Sequence, residues 1–128
     1  MALNHLMPIL VVDDSIGIVR IIRNLLKHIG FLDVDEAGDG PAALTKMRSK
    51  RYGLVISDWN METATGREFL RAIRSDPGLK STAFIMVTDE YKPNNVAAAK
   101  RAGVNNYIVR PFDAPTLKAK IEATLAAR

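Results

Sequence analysis

Five short apolar runs recur along the chain, and each is followed by a stretch in which apolar residues return at three- or four-residue spacing. The runs are "LMPILVV" (Leu6–Val12), "LDVDEA" (Leu32–Ala37), "YGLVIS" (Tyr52–Ser57), "TAFIMVT" (Thr82–Thr88) and "NNYIVR" (Asn105–Arg110). The third to fifth are rich in Val, Ile, Phe and Tyr and are bounded by turn residues, the pattern of parallel strands buried on both faces.

The intervening stretches carry helix signals. Ser15 is placed to cap a helix whose stripe is Ile18, Ile22, Leu25, Leu26 and Ile29, with Gly30 ending it. Asp39-Gly40-Pro41 opens a second helix with Leu44 and Met47 inside. Thr65 and Glu68 form a capping box for a third, which carries Phe69, Leu70 and Ile73 and stops near Pro77. A fourth is expected from about Pro93 to Ala102, ended by Gly103, and Asp113 caps a fifth with Leu117, Ile121 and Leu125 on one face. Strands separated by single helices require right-handed crossovers. The expectation is one doubly wound α/β domain: a five-stranded parallel sheet with five helices around it. There is no internal repeat or linker, and five units fill the sequence, so a single domain without an appended effector is expected.

Composition narrows the setting. Of 128 residues, 48% are hydrophobic and 25% charged, an ordinary soluble balance. Without cysteine there is no disulfide and no thiolate metal site. The apolar runs are too short to span a bilayer, and the start lacks the pattern of a signal peptide, so a cytoplasmic protein is expected. The net charge of +4 comes from 18 basic and 14 acidic residues, dispersed rather than in blocks. Arg67, Arg71 and Arg74 would form one helical stripe, but no aromatic residue interleaves with them, and DNA binding is not expected.

In a doubly wound sheet, ligands bind beyond the carboxyl ends of the strands. The residues there are Asp13 and Asp14 after the first strand, Asp58 after the third, Thr88 after the fourth and Arg110 after the fifth. Each has a plain structural explanation by itself: helix-start acids, a turn, a strand hydroxyl, a half-buried ion pair. Together they are harder to dismiss. Two carboxylates about 5 Å apart at an effective dielectric near 20 repel by about 3 kcal/mol, and a divalent cation removes that repulsion. Hard oxygen donors with no His or Cys beside them point to Mg2+. A carboxylate nucleophile, Mg2+, a hydroxyl and a cation suit phosphoryl transfer.

The stretches "VVDDS", "VISDWNM", "MVT" and "NNYIVRPF", in this order, resemble the CheY-like single-domain response regulators of two-component signalling, over essentially the whole chain. The resemblance implies a flavodoxin-like fold with strand order 2-1-3-4-5. It implies that Asp58 is the phosphoacceptor, loaded from a histidine kinase. Asp13, Asp14, Asp58 and the backbone carbonyl of Asn60 would hold Mg2+. Thr88 and Arg110 would meet the phosphoryl group, and Tyr107 would swing inward, changing the surface of the fourth helix, fifth strand and fifth helix. The plain reading of Tyr107 is an aromatic ring packed on the sheet edge, and that of Trp59 a partly exposed loop residue. The implied output partner is a flagellar motor switch component or a phosphatase, met by a monomer. Enzymatic activity would be limited to the domain's own phosphorylation and dephosphorylation.

Three features depart from the family pattern. Arg110 replaces the lysine before the proline, exchanging a compact ammonium for a planar fork. Asp89 follows Thr88 where a small residue is usual; it adds negative charge and can pair with Arg110. Glu62 and Thr65 replace a proline and an aspartate in the loop after Asp58. These departures keep an alternative open: an atypical receiver, weakly phosphorylated or not at all, that binds cyclic di-GMP or a protein through a basic surface including Lys100, Arg101 and Arg110. A flavodoxin-like nucleotide binder is disfavoured, because no glycine-rich phosphate loop follows the first strand.

Overall fold

The interior positions are decided by strand alternation. Ile9, Leu10, Val11 and Val12 are all fully buried, yet they face opposite ways: Leu10 and Val12 join one apolar cluster, Ile9 and Val11 another. The computed structural model describes residues 3–59, 66–89 and 93–127, with the side chains of 93–95 excepted. Within them the order is β1 (Ile9–Val12), α1 (Ile16–Ile29), β2 (Val34–Ala37), α2 (Gly40–Ser49), β3 (Leu54–Asp58), α3 (Gly66–Ser75), β4 (Ala83–Thr88), α4 (Pro93–Ala102), β5 (Asn106–Val109) and α5 (Ala114–Ala126). All strand pairs are parallel, and the sheet order is β2-β1-β3-β4-β5, as the resemblance implies.

Helices cover both faces. Val19, Ile22 and Leu26 of α1 and Leu117 and Ile121 of α5 pack on Ile9, Val11, Ile56, Ile85 and Ile108. On the other face Ala43 and Met47 of α2, Phe69, Leu70 and Ile73 of α3 and Ala99 of α4 close over Leu10, Val55, Phe84 and Met86. The strands are shorter than their apolar runs: Leu6, in the first run, is 82% exposed and precedes β1. Among the described residues no helix is long and apolar enough to cross a membrane.

The helix ends follow their cap residues. The hydroxyl of Ser15 accepts from the Ile18 amide (3.4 Å), Asp39 from Ala42 (2.8 Å) and Asp113 from Thr116 (2.9 Å). Thr65 of the expected capping box lies outside the described residues, as do Asn60 and Glu62. At the far end of α4, Gly103 takes φ 111°, a conformation costly for any residue with a Cβ, and its amide donates to the Ala99 and Lys100 carbonyls.

Arg74 corrects the expected cationic stripe. Rather than standing out with Arg67 and Arg71, which are exposed, it turns back at the end of α3. Its Nε and Nη2 donate to the Gly103 carbonyl (3.1 and 2.8 Å). Nη1 donates to the Lys80 and Thr82 carbonyls (2.8 and 2.7 Å), and Nη2 also reaches Asn105 Oδ1 (3.0 Å). One side chain thus joins the turn before β4 to the turn before β5.

At the amino-terminal margin of the sheet a second polar group closes the fold. Lys50 Nζ lies 2.7 Å from Asp33 and 2.9 Å from Asp35, and the Tyr52 hydroxyl donates to Asp35 at 2.6 Å.

Candidate functional site

The carboxyl ends of β1, β3, β4 and β5 bring the expected polar residues to one margin. Asp13 follows directly on β1, and its amide donates to the Ala37 carbonyl at 3.2 Å, so the chain is still tied to β2 where the carboxylate begins. Asp58 is the last residue of β3, paired in register with Val87. Asp13 and Asp58 are only 2% and 6% exposed, while Asp14 is exposed. One carboxylate oxygen from each of the three lies within 4.8 Å of the others.

The backbone around Asp58 is held tightly. The Trp59 amide donates to the Val87 carbonyl (3.2 Å) and the Gly66 amide to the Trp59 carbonyl (3.0 Å), folding the start of α3 back onto the strand end. Gly66 sits so close that a Cβ would collide with the Asp58 carbonyl oxygen and with the Trp59 Cα, 2.8 Å away. Glycine is required there by space. The same approach overturns the expectation that Trp59 is partly exposed. Its indole is buried in the cluster with Phe69 and Leu70, with the Arg67 guanidinium 5.8 Å above the ring.

Burial shapes the electrostatics. The Asp13 carboxyl is pushed up to about 6, chiefly because burial disfavours its charge. The Ser15 amide, which donates to Asp13 Oδ1 at 2.9 Å, opposes this; the Asp58 charge adds to the rise, and Arg110 works against it. Such a site gains from a cation. The donors are all carboxylate oxygens, two of them withdrawn from water, which fits a hard divalent ion such as Mg2+.

Arg110 stands across the margin, just past β5, with its amide donating to the Thr88 carbonyl at 2.8 Å. Its nearest acid is not one of the three. Nε and Nη2 each lie 2.7 Å from Asp89 Oδ1, whereas Nη1 is 3.5 Å from Asp13 and Nη2 3.9 Å from Asp58. The Arg110–Asp89 pairing raised by the sequence is therefore the arrangement observed. Thr88 ends β4 and is partly buried. Tyr107 is partly buried against the cluster that holds Phe84, Met86 and Ala99, with Lys120 Nζ 4.3 Å over its ring. Asn60, expected to lend its carbonyl to the metal, and Glu62 fall outside the described residues. Lys120, Gly66 and the clamping role of Arg74 escaped the sequence reading. Lys120 and Tyr107 lie too far apart in sequence for local spacing to pair them, and Gly66 comes eight residues after Asp58, so its close approach to that strand end is a fact of the fold.

Comparison with known proteins agrees with this geometry. The chemotaxis protein CheY of Pseudomonas aeruginosa is 47% identical over 116 residues, which are 91% of this chain and 94% of that protein. The chemotaxis protein CheY-3 of Vibrio cholerae is 43% identical, across 94% of this chain and 92% of its own. The solved structure of Vibrio cholerae chemotaxis protein CheY4 superposes with a TM-score of 0.87 at 34% identity, covering 93% of this chain and 98% of that one. The response regulator receiver domain profile matches residues 9–122, from the first strand into the last helix, and the chain belongs to that family.

Proposed function

We propose that the protein is a phosphorylation-dependent switch in which Asp58 accepts a phosphoryl group from a histidine kinase in the cytoplasm. The observation that carries this reading is the convergence of Asp13, Asp14 and Asp58 at the strand ends, with Arg110 opposite. An Asp58 oxygen attacks the phosphorus of a phosphohistidine; the P–O bond forms as the P–N bond breaks, and the leaving imidazole takes a proton from solvent. Asp13, Asp14 and Asp58 would hold Mg2+, with the Asn60 carbonyl as the further donor the resemblance implies, and the ion would supply positive charge to the phosphoryl oxygens. Arg110 donates to those oxygens, and so does the hydroxyl of Thr88. Water later attacks the phosphorus and restores the carboxylate.

Tyr107 moves with Thr88 in this reading, and the surface of α4, β5 and α5 changes with it. The two curated relatives are named as chemotaxis proteins, which supports an output in motility, through a flagellar switch component or a phosphatase. Trp59 adjoins Asp58 and is the only tryptophan, so its emission reports on the site. Titration with Mg2+ and then with beryllium fluoride, a phosphoryl mimic, should change that emission saturably, and Asp58→Asn should abolish the second response. No response to either addition rejects the reading.

A further inference from the structure

The Nη2 nitrogen of Arg110 faces two acids, 2.7 Å from Asp89 and 3.9 Å from Asp58. The geometry points to Asp89 as a positioning residue that holds Arg110 away from Asp58 until a phosphoryl group displaces it. This inference rests on Asp58 being the phosphoacceptor and adds what sets the affinity of that site.

Nε and Nη2 form one edge of the guanidinium, and both are directed at the same Asp89 oxygen. A phosphoryl group on Asp58 needs donors from this side of the fork, because Nη1 points toward Asp13 at 3.5 Å. Bringing Nη2 to the phosphoryl oxygens therefore means giving up its ion-pair contact with Asp89 and the hydrogen bond that Nε donates there. A lysine could turn its three donors independently; the planar guanidinium moves its donors as a unit. The exchange is finely balanced. Asp89 is 70% exposed, so its carboxylate is readily rehydrated once released, while Arg110 is only 20% exposed and keeps an anionic partner in both states. Occupancy at Asp58 thereby trades one counter-ion of Arg110 for another.

The test is the affinity for beryllium fluoride in saturating Mg2+, read by Trp59 emission, in wild type, Asp89→Ala, Asp89→Asn, Arg110→Ala and the Asp89→Ala/Arg110→Ala double variant. Circular dichroism checks that each is folded. Removing the competing carboxylate should tighten binding about five- to tenfold, the scale of one partly exposed charge-assisted pair. The gain should shrink as salt is raised and vanish in the Arg110→Ala background. Unchanged affinity in Asp89→Ala, or the same gain with Arg110 absent, overturns the inference while leaving the phosphoacceptor intact. Failure of every variant, wild type included, to bind the mimic overturns both.

Discussion

Asp13 is the residue whose charge this fold accommodates least well. A carboxyl pushed up to about 6 by burial and by the neighbouring Asp58 holds a proton more firmly in the folded chain than in the unfolded one. Asp13→Asn keeps the oxygen that accepts from the Ser15 amide and removes the buried charge. It should stabilise the metal-free protein at neutral pH by about 1–3 kcal/mol in chemical denaturation, while weakening Mg2+ binding at least tenfold. If the ion is held as proposed, protons and Mg2+ compete for this carboxylate, and the apparent Mg2+ affinity should rise as pH is raised from 5 to 7. A flat calorimetric profile over that range would show that Asp13 is ionised throughout. The strand-end residues were legible in the sequence because an apolar run stops abruptly at each. The burial of Trp59 was not: it depends on Gly66 admitting α3 against the end of β3, and no periodicity records that contact.

At the scale of the elements, the caps at Ser15, Asp39 and Asp113 and the exits at Gly30 and Gly103 could be read directly, because each acts on backbone within a few residues. Arg74 could not. Its partners lie 6 to 31 residues away and are mostly carbonyls, which any side chain might reach. Five donor contacts from one guanidinium make α3, the β4 entrance and the β5 entrance cooperate. Arg74→Ala should therefore cost about 2–4 kcal/mol in denaturant unfolding, more than an exposed helix cation would. Arg74→Lys should recover little, since one ammonium cannot span carbonyls on two turns. Hydrogen exchange should accelerate at Val104 and Phe84, which flank the clamp. A loss below 0.5 kcal/mol would mean that water replaces these bonds at no cost.

Over the whole molecule, the two margins of the sheet respond to pH in opposite senses. At the carboxyl-end margin, Asp13 binds its proton more tightly when folded, so stability falls as pH rises from about 4 to about 6. At the opposite margin the Asp35 carboxyl is held below its ordinary value, first by the Tyr52 hydroxyl and then by Lys50. That stabilisation is present above the ordinary carboxylate value and lost as pH falls below it through the lowered folded value. The metal-free melting temperature should thus be highest near pH 4–5, dropping on the acid side through Asp35 and declining toward neutrality through Asp13. Saturating Mg2+ should remove the decline toward neutrality alone. Asp35→Asn should soften the acid limb; if it leaves that limb untouched, the Tyr52–Asp35–Lys50 group contributes nothing net. On the alkaline side the Tyr52 hydroxyl is pushed up to about 12, mainly by burial, so it keeps its proton in the folded chain and stability is lost as pH rises from about 10 to about 12.

The outer strand β2 has a further consequence, for how copies of this protein treat one another. It is four residues long, and its central pair, Asp35 and Glu36, is engaged by Lys50 and Tyr52 on one side and by Arg23 on the other. A foreign strand seeking the open amide row would find few groups to pair with. It would also have to lie beside charged side chains already held in place. This edge of the sheet therefore makes a poor seed for ribbon growth between copies of the chain.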